Sequence, residues 1–431
     1  MKKYSITPLT NSINKKIEIP GSKSITNRAL LLAALADGNS EISNALLSDD
    51  TKYMLEGLKK CGIKIRKKGK NKYLITGNKG KFNILKSKTL FLGNAGTATR
   101  FLTATLSFCA NKKIRVTGDK RMQERPIQDL IDGLNQLGAK VYSEKNNQCP
   151  PIIIEKQAVG GKCVIPGDKS SQYFSALLFA APLAKKDIII EVKGDLVSKS
   201  YIDLSLDIIK TFGVKIQNKN YKQFIIKAGQ KYKTKNYKVE ADASSATYFA
   251  AIAAATKSKI HITNLNPSSK QGDMEFLEIL KKMGVSIKKY KNKGVEISGK
   301  SKLKPLGKIN LNNMPDGAMT VAILCALTKG KSQLTGLQNL RLKETDRLRA
   351  LSYELQKTGC DCQETKDGLI INGNPEKLHG AEIKTYDDHR MAMCFAVLGT
   401  AIAGITIINP DCVKKTYPDF WKDLKKLLKI H

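Results

Sequence analysis

Arginine is scarce in this chain. Only ten of its 74 basic residues are Arg and the rest are Lys, set against 38 acidic residues for a formal net charge of +36. A charge of that sign attracts phosphate backbones. Yet the sequence has a single Trp, and its basic stretches carry no interleaved aromatics on which bases could stack, which argues against a nucleic-acid binder. The lysines are scattered through turns and solvent faces and read as surface composition. The nine cysteines include no Cys-x-x-Cys pair, and their one close spacing, Cys360-Asp361-Cys362, is a poor metal signature. No apolar stretch follows Met1-Lys2-Lys3, so no signal peptide is expected, and the cysteines read as reduced thiols of a cytoplasmic protein. One apolar run, Met391 to Ile408, is long enough to consider as a membrane span. Gly399 and Gly404 interrupt it, however, and its two parts match a helix and a strand found elsewhere in the chain, so no membrane segment is expected.

What is present is repetition. Ile19-Pro20-Gly21-Ser22-Lys23-Ser24 returns as Ile165-Pro166-Gly167-Asp168-Lys169-Ser170, each opening an Ala/Leu-rich helix placed at Arg28 to Ala36 and at Phe174 to Ala184. Four further helix starts of this kind are Asn94-Ala95-Gly96-Thr97, Asp242-Ala243-Ser244-Ser245, Pro315-Asp316-Gly317 and Asp387-Asp388-His389-Arg390, giving six at intervals of roughly 73 residues. A helix N-terminus of this composition presents backbone N–H groups and the positive end of the dipole to an anion. Each start taken singly also reads as an ordinary N-cap.

A second marker runs in phase with the first. Gly62, Gly138, Gly213, Gly284 and Gly359 each follow a helix and lead into a strand, as expected of a glycine closing the last helical turn. Each unit therefore reads strand, helix, strand, helix and a short hairpin, with turns such as Lys67 to Lys72 and Lys291 to Gly294. The sixth unit ends in a helix, Phe420 to Ile430, with no hairpin after it. The N-terminal strand Lys3 to Pro8 is placed to complete it. That arrangement gives two domains of three units each, residues 21–240 inserted into a discontinuous domain of 1–20 plus 241–431. At 431 residues and 41% hydrophobic content, each domain has material for its own core.

Most of the few arginines sit in compact phrases: Lys23-Ser24-Ile25-Thr26-Asn27-Arg28, Gly93 to Arg100, Arg121-Met122-Gln123-Glu124-Arg125-Pro126, Lys343-Glu344-Thr345-Asp346-Arg347 and Asp388-His389-Arg390. Arg offers a planar fork for carboxylate or phosphate and Lys a point charge, so the set suits one or two small, highly charged anions. The bland alternatives are an exposed i,i+3 pair for Glu344 and Arg347 and a simple cap for Asp388.

These phrases, with Leu92 to Arg100, Ser170-Ser171-Gln172, Gly194 to Lys199, Asp242 to Ser245, Pro315-Asp316, Lys343 to Leu348, Asp388 to Met391 and Lys415 to Asp419, closely resemble the 3-phosphoshikimate 1-carboxyvinyltransferase (EPSP synthase) family of the shikimate pathway, which serves aromatic amino acid biosynthesis. The resemblance spans essentially the whole chain. It implies an α/β protein with the two-domain enolpyruvyl transferase fold, six βαβαββ units with three per domain, and an active site in a cleft between domains that close on substrate. The implied reaction moves the enolpyruvyl group of phosphoenolpyruvate to the 5-hydroxyl of shikimate 3-phosphate through a tetrahedral adduct, releasing phosphate. No metal or organic cofactor is implied, nor any nucleic-acid or membrane partner, and a monomer is expected.

Carried over by motif, Ser170, Ser171, Ser198 and Lys343 resemble the contacts to the phosphate of shikimate 3-phosphate. Ser24, Arg28, Gln172, Tyr201, Asp316 and Asn339 would surround its ring and carboxylate. Arg125, Arg347, Arg390, Lys415, Asn94 and Gly96 resemble the phosphoenolpyruvate clamp, with Lys23 shared between substrates. Asp316 is the implied base, Glu344 the implied proton donor to the methylene, and Lys23 joins them as a catalytic candidate. Gly96 would lie where the herbicide glyphosate competes. Two positions depart from the pattern: Phe101 stands where many members carry Pro, which leaves the packing behind Gly96 and Thr97 open, and Lys169 adds a cation. A sister class that transfers the same group to a UDP-sugar uses a loop Cys, and Thr117 to Ile127 has none.

Overall fold

The computed structural model describes residues 2–84, 88–109, 112–299 and 302–429. It separates into two compact units, one formed by Gly21–Val239 and the other by Met1–Pro20 with Glu240–His431. Each has its own hydrophobic core.

The repeat is visible in the sheets. Five have four strands in one common order and the sixth has three. In the sheet of Gly161–Pro166, Ile188–Lys193, Ile216–Lys219 and Gln223–Ile226, the first strand is parallel to the second, which pairs antiparallel with the last. The hairpin then closes the far edge. The three-stranded sheet belongs to the sixth repeat: Glu382–Lys384 runs parallel to Thr406–Ile408, and Lys3–Ser5 pairs antiparallel with the latter. The N-terminal strand thus completes the last repeat. It stops at Ser5, short of the expected Pro8.

Two strands depart from a simple linear repeat. Asn14–Ile17 precedes the first repeat in sequence but runs parallel to Lys259–Ile262 in the sheet of the fourth. Tyr237–Lys238 precedes the fourth but runs parallel to the Asp37–Ser43 strand of the first. Each crossing of the chain exchanges an opening strand. The ends are tied locally, Asp242 N–H to the Pro20 carbonyl at 2.9 Å and Asn44 Nδ2 to the Val239 carbonyl at 2.8 Å.

The two helices of a repeat do different work. The first ones, such as Ala243–Ala255, Ala318–Ala326 and His389–Ala401, are apolar around most of their circumference and almost wholly buried. The second ones are amphipathic: Glu275–Lys282 buries Phe276, Leu277, Ile279 and Leu280 and turns its charges outward. All five glycines that follow these second helices have φ between 82° and 92°, the left-handed closure expected of them. The first helix begins at Lys23 rather than Arg28, because Ser22 caps it and accepts the Ile25 N–H. In the third repeat the helix is Ser171–Ala180, followed by a 3-10 turn at Ala181–Leu183, where Pro182 cannot supply the helical N–H. The last helix spans Phe420–Leu428, and Ile430 lies outside the described residues. The apolar run Met391 to Ile408 divides into a helix and a strand. Among the described residues no helix is long and apolar enough to cross a membrane.

Candidate active site

In the unit that carries residues 240–429, five of the candidates form one network: Asp316 and Arg390 at the starts of two buried helices, Glu344 and Arg347 at the start of Arg347–Gln356, and Lys415 at the end of the 3-10 turn Pro410–Lys415. Arg347, in the first turn of Arg347–Gln356, is 1% exposed and reaches three carboxylates. Its Nη1 lies 3.0 Å from Asp316 Oδ1, its Nη2 2.7 Å from Glu344 Oε2, and its Nε 2.7 Å from Asp388 Oδ2. Arg390 Nη2 takes the other Asp316 oxygen at 2.8 Å, and its Nη1 donates to the Tyr248 hydroxyl at 3.1 Å. Lys415 Nζ stands 3.4 Å from Glu344 Oε1. Burial alone would lower the Arg347 pKa, but Asp388, Glu344 and Asp316 outweigh it and hold it well above its ordinary value. Glu344 and Arg347 are therefore not an exposed helical pair. Asp388 is a cap, accepting the Arg390 N–H at 2.9 Å, and an Arg347 partner as well. Asn339 is buried in the 3-10 turn Gln338–Leu342, with Lys343 directly after it.

The other unit holds several smaller groupings. Lys23 Nζ lies 3.3 Å from Asp50 Oδ2, both largely buried. Arg28 donates from Nε to Ser205 Oγ at 2.9 Å and from Nη1 to the Ser24 carbonyl at 3.0 Å, and its Nη2 is 3.5 Å from the Tyr201 carbonyl. With no carboxylate among these contacts, burial lowers its pKa to about 10. Ser170 caps Ser171–Ala180 and accepts the Gln172 N–H at 3.3 Å. Ser198 caps Lys199–Thr211 with φ at 54°, a left-handed conformation that costs a non-glycine residue of order 1–3 kcal/mol.

A further grouping is built on Gly96–Cys109. Arg125 Nη1 donates to Asn94 Oδ1 at 3.0 Å, while its buried Nε has no hydrogen-bond partner among the described residues. Arg100 donates to the Gly96 carbonyl at 3.1 Å and the Pro126 carbonyl at 3.0 Å. A Cβ at Gly96 would lie 2.7 Å from Arg100 Nη1 and 2.9 Å from both terminal nitrogens of Arg125, so only glycine lets the two guanidiniums approach the helix start. Phe101 fills the space behind: it is fully buried, meets Phe179 edge-on at 4.9 Å, and lies 5.2 Å beneath the Arg28 guanidinium. Lys169 has a local partner, Asp129 Oδ1 at 3.0 Å.

Sequence reasoning assigned no site role to Asp50, Arg100, Tyr248, Asp273 or Asp388. Arg100 stood inside a motif and Asp388 was weighed as a cap. The other three had no signal beyond being common residues near helix starts.

The comparisons agree along the whole length. The sequence model described as EPSP synthase (3-phosphoshikimate 1-carboxyvinyltransferase) matches residues 9–424. The chain belongs to that family. It is 43% identical over 430 residues to the 3-phosphoshikimate 1-carboxyvinyltransferase of Escherichia coli (strain SMS-3-5 / SECEC), covering 99% of both chains. It is 44% identical over 430 residues to that of Shewanella pealeana, covering 99% of this chain and 100% of the relative. A solved EPSP synthase from Acinetobacter baumannii superposes with a TM-score of 0.83 at 26% identity, covering 99% of this chain and 98% of the other. The family's α/β fold of repeated units is the one seen here.

Arg125→Lys is expected to weaken use of an anionic substrate. A point charge cannot replace two parallel N–H contacts, and the loss should be about 1.5–3 kcal/mol in kcat/KM for phosphoenolpyruvate. Steady-state kinetics checks this, and an unchanged kcat/KM would remove Arg125 from the site.

Proposed function

We propose that this chain transfers the enolpyruvyl group of phosphoenolpyruvate to the 5-hydroxyl of shikimate 3-phosphate, giving 5-enolpyruvylshikimate 3-phosphate and phosphate. The observation that carries the residue assignment is the network of Asp316, Glu344, Arg347, Arg390 and Lys415, two acids held among three cations in a chain of this family. Asp316 takes the 5-hydroxyl proton as that oxygen attacks C2 of phosphoenolpyruvate. The C2–C3 π pair takes a proton from Glu344, turning the methylene into a methyl and giving a tetrahedral adduct. The Glu344 carboxylate then takes back a methyl proton, restoring the double bond as phosphate leaves with the C–O electron pair.

Arg125, Arg347, Arg390, Lys415, Asn94 and Gly96 hold phosphoenolpyruvate, with Lys23 shared. Ser170, Ser171, Ser198 and Lys343 hold the phosphate of shikimate 3-phosphate. Ser24, Arg28, Gln172, Tyr201 and Asn339 surround its ring. Glu344 stands between Arg347 and Lys415. The reaction needs no partner chain or membrane, consistent with a cytoplasmic monomer.

Phosphate release measured with both substrates, and with each omitted in turn, tests the reading: release that needs both supports it. Tight, salt-sensitive binding to random DNA without phosphate release would replace it with a nucleic-acid role. The position of Gly96 gives a finer check. Its added methyl would press on Arg125, so Gly96→Ala should raise the inhibition constant for glyphosate more than the Michaelis constant for phosphoenolpyruvate. Equal changes in the two would count against Gly96 as a wall of that site.

A further inference from the structure

Asp273 sits in the 3-10 turn Gly272–Met274, is 4% exposed, and belongs to none of the motifs above. Both its oxygens are engaged. Oδ1 accepts the backbone N–H of Gly317 at 3.1 Å, and Oδ2 accepts the Ser244 hydroxyl. Gly317 directly follows Asp316 and caps the Ala318–Ala326 helix, so the N–H that Asp273 holds belongs to the peptide joining Asp316 to that helix. The seat is tight: a Cβ on Gly317 would lie 3.2 Å from Asp273 Oδ1 and 2.8 Å from the Met314 methyl. Asp273 thus fixes the backbone from which the Asp316 side chain reaches Arg347 and Arg390.

The charge on Asp273 is costly. Burial, then the nearby Asp316 carboxylate, push its pKa up to about 6, with Asp242 adding to the rise and Arg390 and the Ser244 hydroxyl opposing it. Those residues lie at three different helix starts. An amide or hydroxyl would hold one peptide N–H at lower cost in a buried setting.

We propose that Asp273 is a positioning residue for Asp316, fixing its carboxylate through the Gly317 amide and, by its own negative charge, keeping Asp316 a stronger base than two arginine partners alone would leave it. The inference rests on Asp316 being the base.

The test compares Asp273→Asn, Asp273→Ala and Asp316→Asn by phosphate release across pH, with thermal unfolding alongside. Asn keeps an acceptor for the Gly317 N–H and removes the charge. It should move the acid limb of the kcat/KM profile to lower pH by roughly half a unit to one unit, because a like charge beside Asp316 is gone, and lower turnover at neutral pH severalfold. Ala loses the acceptor too, and should lower kcat by a further ~10-fold with the Michaelis constants nearly unchanged. Stability should move the other way for Asn. A carboxyl whose folded pKa is raised contributes stability below its unfolded pKa and loses it as pH rises through about 6, so Asp273→Asn should melt no lower than the parent at pH 8. An unmoved acid limb in Asp273→Asn overturns the proposal, whether turnover is kept or lost with a lowered melting temperature. Parental turnover in Asp273→Ala does the same. If Asp273→Ala does not fold, the Asn profile decides. Retained turnover in Asp316→Asn overturns both this inference and the assignment of the base, whereas an inactive Asp316→Asn beside a silent Asp273 overturns this inference alone.

Discussion

Asp316→Asn and Glu344→Gln are each expected to lower turnover by about 10²–10⁴-fold, the usual worth of a positioned proton-transfer group. Both should still bind shikimate 3-phosphate. Each amide is close to isosteric with the acid it replaces and can keep one oxygen on Arg347, so the scaffold of the network stays in place while the proton function is lost. The phosphate of shikimate 3-phosphate is assigned to Ser170, Ser171, Ser198 and Lys343 rather than to either acid. Affinity for phosphoenolpyruvate should not fall, since removing a carboxylate leaves Arg347, Arg390 and Lys415 freer to meet an anion. If the acids serve only to neutralise those cations, the amides will keep near-parental turnover. Calorimetric binding alongside steady-state rates separates the cases. Retained turnover sinks the catalytic roles, and binding lost together with stability makes the residues structural.

The periodic features of this fold were legible because each has a local cause. A glycine past a helix end must take a left-handed conformation whatever surrounds it, and Gly62, Gly138, Gly213, Gly284 and Gly359 all do. The first helices could be read as buried because Ala, Leu and other apolar residues dominate them. Even the completion of the last repeat by the N-terminal strand followed from counting, since one unit lacked a hairpin and one strand lacked a unit. The exchange of opening strands at the two crossings was not legible. Asn14–Ile17 is Asn-Lys-Lys-Ile and Tyr237–Lys238 has two residues, so neither carries an alternation that declares a strand. Only pairing between residues far apart in sequence defines them, Asn14–Ile17 with a strand beyond the inserted unit and Tyr237–Lys238 with a strand near that unit's opposite end.

The site shows the same division. Its cations stood out because Arg is rare against a Lys background, and the structure gathers Arg347, Arg390 and Lys415 around two of the expected acids. The acids that merely hold other groups in place did not stand out. Asp50 lies in the first turn of Asp49–Lys60 and Asp273 in the 3-10 turn just before Glu275–Lys282, places where acidic residues are common for reasons of capping and dipole alone. What distinguishes them is burial against a residue distant in sequence, and no spacing rule encodes that. Phe101 belongs to the same class. Its departure from the family pattern became interpretable only with Phe179 and Arg28 beside it.

Arg347→Met is expected to be the most damaging single change to the fold, costing roughly 3–5 kcal/mol, because it removes one partner of a buried ion cluster and leaves carboxylates without compensation. The three acids would not suffer equally. Asp316 keeps Arg390 and Glu344 keeps Lys415, but the fully buried Asp388 would be left with the Arg390 backbone N–H at 2.9 Å and His389 Nδ1 at 3.7 Å. Arg347→Met combined with Asp388→Asn should therefore recover part of the loss, because the buried carboxylate that lost its partner is then gone. Arg347→Lys restores a charge without the three-way fork and should fall between the parent and Arg347→Met. The only tryptophan, Trp421, lies on the Phe420–Leu428 helix in the same unit as Arg347, so urea unfolding followed by its fluorescence reports on that unit. A loss below about 1 kcal/mol, or no recovery in the double variant, would show that Arg347 is not the counter-ion on which these buried carboxylates depend.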